Sequence, residues 1–241
     1  TRDADAAREI ARRLGAACEL RRVEVAPGPG LEERARSARY GVVPPDVCVG
    51  HTADDRAETV LLNLGRGSGL SGVAAPMARV LRPLLRLRRS ETVALCRRLD
   101  LPVVDDPMNR SVEHARVAIR TRVLPALAEA LDRDPVPILV RHADLAAEAM
   151  AVIGELAETV DVTDVRKLCS VPRAVAAEAV RRWLARELDL GTAVDRGSID
   201  RVLAVAAGEA IATEIVGGHR VARSRGRLSV GPAETRPPGL G

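Results

Sequence analysis

Three carboxylates, a histidine and a threonine stand close together between His51 and Thr59. With 100° per residue on a helix, His51, Asp55 and Glu58 fall within about 60° of one another, and Asp54 and Thr59 flank them. Clustered carboxylates suit a hard cation such as Mg²⁺, or the ammonium group of an amine substrate. The segment therefore indicates a site for a positively charged ligand.

Helix capping is the alternative explanation for these acids, because carboxylates near a helix N-terminus interact favourably with its dipole. Thr52 is a suitable cap, with Asp55 three residues later as in a capping box. Capping accounts for Asp54 and Asp55, but poorly for Glu58, which lies a turn further on.

The loop RGSGLSG follows this helix at residues 66–72. Its glycines let the backbone approach a phosphate or another chain closely, and Arg66 adds a positive charge. A glycine C-cap and turn is the alternative, since Gly65 and Gly67 stand where helices commonly stop.

The elements that position these residues alternate between helix and strand. Helical periodicity covers residues 3–14, residues 18–25 alternate like a strand, and residues 31–43 indicate a short helix. A strand at 47–49 ends just before His51. This order predicts an α/β fold with a parallel sheet, in which ligands bind beyond the carboxyl ends of the strands.

A second, smaller domain is expected after residue 131. The segment DRDPVP at 132–137 is typical of a boundary between domains, and a long amphipathic helix is predicted to follow it at about 138–160. Further helices come next, then a hairpin around Gly217 and Gly218. We therefore predict domains at 1–131 and 132–241, the second built of helices plus a hairpin.

Composition and charge bear on whether the protein binds nucleic acid, a metal cluster or a membrane. The net charge of +4 permits an anionic partner without requiring one, and the four cysteines include no CxxC pair that would suggest zinc or an iron–sulfur cluster. No apolar run approaches the roughly 20 residues of a membrane span, and no signal peptide is visible. We expect a cytoplasmic protein without membrane contact.

Taken together, these residues resemble the tRNA(Ile)-lysidine synthases, which are PP-loop ATPases of the adenine-nucleotide α-hydrolase type. Their motif reads roughly HHxxDDQxETxLLxLxRGSGxxG. The segments RPLL at 82–85, DDPMN at 105–109 and IRTRVLPAL at 119–127 also resemble family segments. The residues that match the motif are His51, Asp54, Asp55, Glu58, Thr59, Leu61, Leu62, Leu64, Arg66, Gly67, Ser68, Gly69 and Gly72.

Some positions depart from the family pattern. Thr52 replaces the second histidine, Arg56 replaces the glutamine, and residues 116–118 lack the usual Arg-Asn-Arg. The family's SGGxDS loop, which grips the ATP pyrophosphate, would lie before Thr1. Because the chain starts within a predicted helix and without Met, we expect an N-terminal segment to precede Thr1.

The resemblance implies a tRNA-modifying ligase. ATP would adenylate the wobble cytidine of an isoleucine tRNA with a CAU anticodon, releasing pyrophosphate. The ε-amine of free lysine would then attack the activated carbon and release AMP, giving lysidine. The implied cofactors are ATP and Mg²⁺, and a homodimer is a further expectation. The resemblance also assigns residues 1–131 to a PP-loop-type catalytic domain that lacks its N-terminal part, and residues 132–241 to a small tRNA-binding domain.

The resemblance also implies roles for individual residues. Catalytic roles fall to Asp54, Asp55 and Glu58, and Asp55 is the candidate metal ligand. The candidates for binding ATP, lysine or tRNA are His51, Thr59, Arg66, Gly67, Ser68, Gly69, Asn109 and Arg120. Two groups of arginines are candidates for binding the tRNA backbone; the alternative is that they form solvent-exposed charged faces. The first group is Arg79, Arg82, Arg86, Arg88, Arg89, Arg97 and Arg98. The second group, on the hairpin, is Arg220, Arg223, Arg225 and Arg227.

Two other functions stay open. One is another PP-loop tRNA-modifying enzyme such as a thiolase, which the absence of paired cysteines argues against. The other is a non-catalytic tRNA-binding fragment, which a sequence without the SGGxDS loop would suit.

Overall fold

The structure is a computed structural model. It describes residues 2–25, 31–44, 46–74, 80–102, 115–188, 194–215 and 217–232. The chain divides into two compact units, Thr1–Ala147 and Glu148–Gly241. This division falls inside a long helix, whereas the boundary expected from the sequence lies just before that helix.

The described part of the first unit is mainly helical. A turn of π-helix, Ile119–Val123, interrupts the helical region at residues 115–131. The helices, in chain order, are α1 (Arg2–Leu14), α2 (Leu31–Val42), α3 (Ala53–Gly65), α4 (Leu70–Ala74), α5 (Arg89–Arg98), α6 (Ala115–Ala118), α7 (Leu124–Leu131) and α8 (Pro135–Glu158), the last of which continues into the second unit.

In the described residues, one parallel bridge represents the predicted parallel sheet. Cys48 pairs with Leu81, where the N–H of Val49 donates to the Leu81 carbonyl at 2.9 Å. Residues 18–25 form no strand, so that prediction is wrong for this structure. Alternation of side chains is not sufficient for a strand, because its backbone also needs a neighbouring strand to bond with.

The core of the first unit fixes helix α3. Ala53 and Ala57 of α3 pack in one buried cluster with Ile119 of the π turn, Leu124 of α7 and Val136 of α8. Small alanines let these elements approach closely. The opposite side of α3 carries the acidic residues, so the core decides which way they face.

The π turn accommodates Pro125, a residue type that breaks or bends helices. Proline has no N–H to donate and its ring crowds the carbonyl four residues back. The chain responds with a wider turn, in which the N–H of Leu124 donates to the Ile119 carbonyl. Turns of this kind are frequent at functional sites.

The second unit has its own core of helices and a sheet. Its three antiparallel strands follow the order β1-β2-β3, so the predicted hairpin is present with one more strand. Trp183 and Leu184 are buried among valines and alanines of the helices and sheet. The elements after α8 are α9 (Val165–Ser170), α10 (Arg173–Glu187), α11 (Arg196–Ala207), β1 (Ala212–Ile215), β2 (His219–Ser224) and β3 (Arg227–Pro232).

Ser90 and Ser198 are the helix caps that the sequence predicts, because serine is favoured at helix starts, and neither caps a helix in the structure. Asp195, and not Ser198, caps α11 by accepting from the Ser198 N–H. Helix α5 begins at Arg89, so Ser90 is not its cap. The helix that the sequence pattern indicates within residues 168–186 is α10, and Pro172 separates it from the preceding α9. Among the described helices, none combines the length and apolar character needed to cross a membrane.

Candidate functional site

The acidic residues lie in the first turns of helix α3, whose start is fixed by a capping box. The N–H and the hydroxyl of Thr52 both donate to Oδ2 of Asp55 at 2.8 Å. The N–H of Ala53 donates to the Leu87 carbonyl at 2.9 Å, which ties this end of α3 to the residues preceding α5. The capping interpretation is therefore confirmed for Thr52 and Asp55.

Glu58 is fully buried, with 0 % of its side chain exposed, yet it carries a carboxylate. Arg120 binds it through both nitrogens, with Nε at 2.7 Å from Oε1 and Nη2 at 3.1 Å from Oε2. Arg89 adds a third bond, from Nη1 to Oε1 at 3.0 Å. A charge taken out of water requires such partners, because an unpaired buried carboxylate costs several kcal/mol, on the order of 3 to 5.

Arg89 also reaches the other two carboxylates. Its Nη2 donates to Oδ1 of Asp55 at 2.8 Å, and its backbone N–H donates to Oδ2 of Asp54 at 2.7 Å. Arg88 binds Asp54 through Nε and Nη2 at 3.1 and 3.0 Å, and its Nη1 contacts Asp134. The start of α5 therefore supplies two positive side chains to the start of α3.

The π turn positions a second pair of arginines against α3. Arg116 and Arg120 are four residues apart and lie on one side of their helical segment. Arg116 Nη2 is 3.3 Å from the hydroxyl of Thr59, next to the Glu58–Arg120 pair. Thr59 itself donates to the Asp55 carbonyl, so its hydroxyl belongs to the same cluster.

His51 sits at the end of the segment that bridges to Leu81. Arg82 Nε donates to its Nδ1 at 3.1 Å, which makes Nδ1 the acceptor and leaves the ring proton on Nε2 when the histidine is neutral. Arg82 was a candidate for the tRNA backbone, but this contact directs it to His51.

These contacts change the acidity of the aspartates. Burial works to raise the pKa of Asp55, but hydrogen bonds from Thr52 and the charges of Arg89 and His51 outweigh it and lower that pKa. Burial likewise works to raise the pKa of Asp54, and hydrogen bonds from Arg88 and the Arg89 N–H lower it. Both aspartates are therefore ionised at neutral pH.

The carboxylates do not form a ready metal site. Each of the three is bound by at least one guanidinium, and Mg²⁺ prefers oxygen ligands without competing cations. In the described part of the chain, no group of three or more His, Cys, Asp or Glu side chains is arranged to hold a metal ion. The arrangement therefore does not fit a metal bound by Asp55.

The glycine loop lies at the other end of α3. The 11 residues from Asp55 to Arg66 span about 16 Å along the helix axis. Gly67 has a φ of +73°, as expected for the residue that ends a helix. The Asn63 side chain donates to the Gly72 carbonyl at 2.7 Å and closes the loop. The loop therefore lies about two to three helical turns away from the carboxylates.

The structure thus brings together six of the predicted site residues and separates the others. His51, Asp54, Asp55, Glu58, Thr59 and Arg120 form one cluster, which we call the acid–arginine cluster together with Arg82, Arg88, Arg89 and Arg116. Arg66, Gly67, Ser68 and Gly69 lie apart from it, and Asn109 lies outside the described residues. The roles proposed for all these residues stay predictions.

Sequence reasoning missed the function of Arg88 and Arg89 in this cluster. Both were considered only as contacts for a tRNA backbone or as solvated charges. The available signal was the run of arginines just after RPLL, which could neutralise the acids of α3. Pairing them required knowing that α3 and α5 begin side by side.

Comparison with known proteins decides the family. A PP-loop domain matches residues 1–127. A tRNA(Ile)-lysidine synthase of Rhodococcus opacus is 36% identical over 258 residues, covering 97% of this chain and 78% of that protein. The chain belongs to the tRNA(Ile)-lysidine synthase family. The resemblance seen in the sequence is thereby confirmed, together with the PP-loop class of its first part.

Other members of the family align over a shorter range. The tRNA(Ile)-lysidine synthase of Nocardia farcinica is 42% identical over 195 residues, covering 74% of this chain. That of Rhodococcus erythropolis is 40% identical over 177 residues, covering 67% of it. The chain spans 61% and 54% of the lengths of these two relatives.

Proposed function

We propose that this protein is a ligase that joins lysine to the wobble cytidine of an isoleucine tRNA with a CAU anticodon, giving lysidine. The observation that carries the proposal is the match of 97% of the chain to a relative of that name. In this reaction ATP adenylates the carbonyl oxygen of the base and pyrophosphate leaves. The ε-amine of free lysine then attacks the activated carbon and AMP leaves.

The acid–arginine cluster supports an amine site. The lysine ammonium has a pKa of about 10.4 in water and must lose a proton before its nitrogen can attack. Because their pKa values are lowered, Asp54 and Asp55 are weak proton acceptors and are better suited to hold the ammonium. We assign Glu58 to accept the proton because Arg89 holds its carboxylate beside that of Asp55.

The nucleotide is proposed to be ATP, which a PP-loop domain of this family supports. His51 and Thr59 are assigned to its neighbourhood. Because the carboxylates of α3 are already bound by arginines, we propose that Mg²⁺ accompanies the ATP phosphates instead of resting on Asp55. We also propose that the Cys48–Leu81 bridge belongs to the family's parallel sheet.

The tRNA is assigned to two other surfaces. The loop of Arg66, Gly67, Ser68 and Gly69 begins about 12 Å from Glu58 and about 16 Å from Asp55 along the axis of α3, which favours a contact with the tRNA over one with the amine. In the second unit we assign Arg220 and Arg225, which are exposed on the sheet. A cytoplasmic location and a homodimer remain predictions, the second open to sedimentation measurements.

The test is incorporation of labelled lysine into unmodified tRNA by the intact gene product. We expect incorporation only with ATP, and a loss of about 100-fold or more in Glu58→Gln, which keeps the shape of the side chain. Glu129→Gln, an exposed carboxylate on α7, is the matched control and should behave as wild type.

Three results would contradict the proposal in different ways. Incorporation of sulfur instead of lysine would identify a thiolase. Binding of tRNA without any ATP consumption would identify a non-catalytic tRNA-binding protein. Normal lysine incorporation by Glu58→Gln would remove Glu58 from the site while leaving the overall reaction in place.

A further inference from the structure

Arg89 contacts all three carboxylates of the proposed amine site. Its guanidinium spans Asp55 and Glu58, with Nη2–Oδ1 at 2.8 Å and Nη1–Oε1 at 3.0 Å, and its backbone N–H binds Asp54. A guanidinium placed between two carboxylates occupies the same electrostatic position as a bound ammonium would.

Each of the three carboxylates already has a guanidinium partner. Asp54, Asp55 and Glu58 are matched one for one by Arg88, Arg89 and Arg120. An ammonium added to this group would leave an excess of positive charge in a partly buried place, where screening by water is reduced. A cationic substrate can therefore bind between these carboxylates only if one guanidinium moves away.

Arg89 is the guanidinium best placed to move. Arg120 holds Glu58 with two nitrogens and Arg88 holds Asp54 with two, which makes both pairs geometrically specific. Arg89 is exposed to about the same extent as the other two, but its guanidinium makes only one bond to each of two acceptors. Its departure would open Asp55 and Glu58 together, while Arg120 would still neutralise part of the charge.

We propose that Arg89 is an exchangeable counter-ion. Its guanidinium fills the position between Asp55 and Glu58 in the absence of substrate and swings toward solvent when the lysine ammonium binds. This inference rests on the proposed function, because it takes the amine substrate to be lysine. Arg89 then competes with lysine, so the affinity measured for lysine is weaker than the carboxylates alone would give.

The test is the dissociation constant of lysine for the intact protein, measured by isothermal titration calorimetry. Arg89→Gln is expected to bind lysine about two- to fivefold more tightly than wild type, the effect of removing one partly exposed ion-pair competitor. Arg86→Gln removes the same charge from an exposed neighbouring position and should leave the constant unchanged. Norleucine, which lacks the terminal amine, should gain nothing from Arg89→Gln.

Weaker or unchanged lysine binding in Arg89→Gln would overturn the proposal, since a residue that only holds the carboxylates in place predicts weakening. If Arg89→Gln does not fold, Arg89→Lys takes its place. A single ammonium cannot span both carboxylates, so this variant should also bind lysine more tightly than wild type, and weaker or unchanged binding by it would likewise overturn the proposal.

The lysine-incorporation assay on wild type separates this inference from the function itself. Incorporation by wild type with weaker lysine binding in Arg89→Gln would reject the counter-ion and keep the ligase. Tighter lysine binding in Arg89→Gln, without incorporation by wild type, would keep the counter-ion and reject the ligase. No lysine binding by either protein would reject both.

Discussion

Arg120 holds the fully buried carboxylate of Glu58 with two parallel hydrogen bonds, at 2.7 and 3.1 Å. The two residues are 62 positions apart, so the pair joins helix α3 to the π turn across the first unit. Glu58 is also the residue that we assign to the chemistry. Structural and catalytic effects at this position must therefore be measured separately.

Removal of the Glu58 side chain should destabilise the first unit. Glu58→Ala leaves Arg89 and Arg120 without the carboxylate that both contact, and creates a cavity in place of a buried side chain. Because both arginines remain about one-third exposed, we expect a loss of roughly 2 kcal/mol in the free energy of unfolding, at the low end for a broken buried pair. Urea denaturation measures it.

Glu58→Gln is the comparison for that experiment, since it keeps an acceptor oxygen for Arg120 and fills the same volume. Its free energy of unfolding should lie between those of wild type and Glu58→Ala. Equal stability of wild type and Glu58→Ala would mean that the ion pair contributes nothing to the fold.

The stability of the first unit should depend on acid pH through its aspartates. The pKa values of Asp54 and Asp55 are lower in the folded protein than the value of about 3.9 for an unfolded chain. Their stabilising contribution is therefore complete above that value and is lost as the pH falls through the folded pKa values. The urea midpoint should be level from pH 7 to about pH 5 and fall below about pH 4.

Asp55→Asn checks which residue is responsible. It removes the titrating group while leaving an oxygen that Thr52 can donate to, so the fall in urea midpoint below about pH 4 should become shallower. An unchanged pH profile in Asp55→Asn would assign the acid sensitivity to other carboxylates.

The sequence predicted helix α3 well because every local signal agreed. Thr52 caps it, Ala57 and Val60 form its buried face, and Gly67 ends it. Signals of this kind act within a few residues, so one chain segment contains all of them. The direction in which the acids face does not follow from these local signals, because it depends on the elements that pack against Ala53 and Ala57.

The partners of those acids could not be predicted in the same way. Arg88 and Arg89 are 31 to 35 residues from the carboxylates they bind, and the contact depends on the Ala53–Leu87 hydrogen bond that aligns two helix starts. The strand expected at 18–25 failed for a related reason. Pairing between distant segments is decided by tertiary structure, which alternation in one segment does not reveal.

The glycine loop should be sensitive to a single methyl group. A Cβ at Gly72 would lie 2.2 Å from Cβ of Ser68, far inside van der Waals contact. Gly72→Ala should therefore force the loop apart, break the bond from Asn63, and lower stability by roughly 1 to 3 kcal/mol. Thermal unfolding of the variant measures the loss.

Ser68→Gly provides the matched partner for a double-mutant cycle. The double variant Ser68→Gly/Gly72→Ala removes the clashing Cβ and should regain most of the stability lost in Gly72→Ala alone. Additive losses in the double variant would show that the Ser68 contact is not what excludes a side chain at residue 72.

The hairpin arginines should fall into two classes. Arg223 donates to the Ala206 carbonyl at 3.1 Å at the end of α11, and Arg227 donates to the Thr163 hydroxyl at 2.7 Å. Both are engaged within the second unit. Arg220 and Arg225 are exposed and are the ones that we assign to tRNA.

Substitution by glutamine separates these classes. Arg220→Gln and Arg225→Gln should weaken tRNA binding without changing the melting temperature, and each should reduce the slope of log K against log salt by about 1, because each removes one phosphate contact. Arg223→Gln should lower the melting temperature instead, since the last carbonyls of α11 lose a donor. Binding titrations at several salt concentrations, with calorimetric melting of the same samples, distinguish the two outcomes. An unchanged salt slope in both Arg220→Gln and Arg225→Gln would place the tRNA on a different face of the second unit.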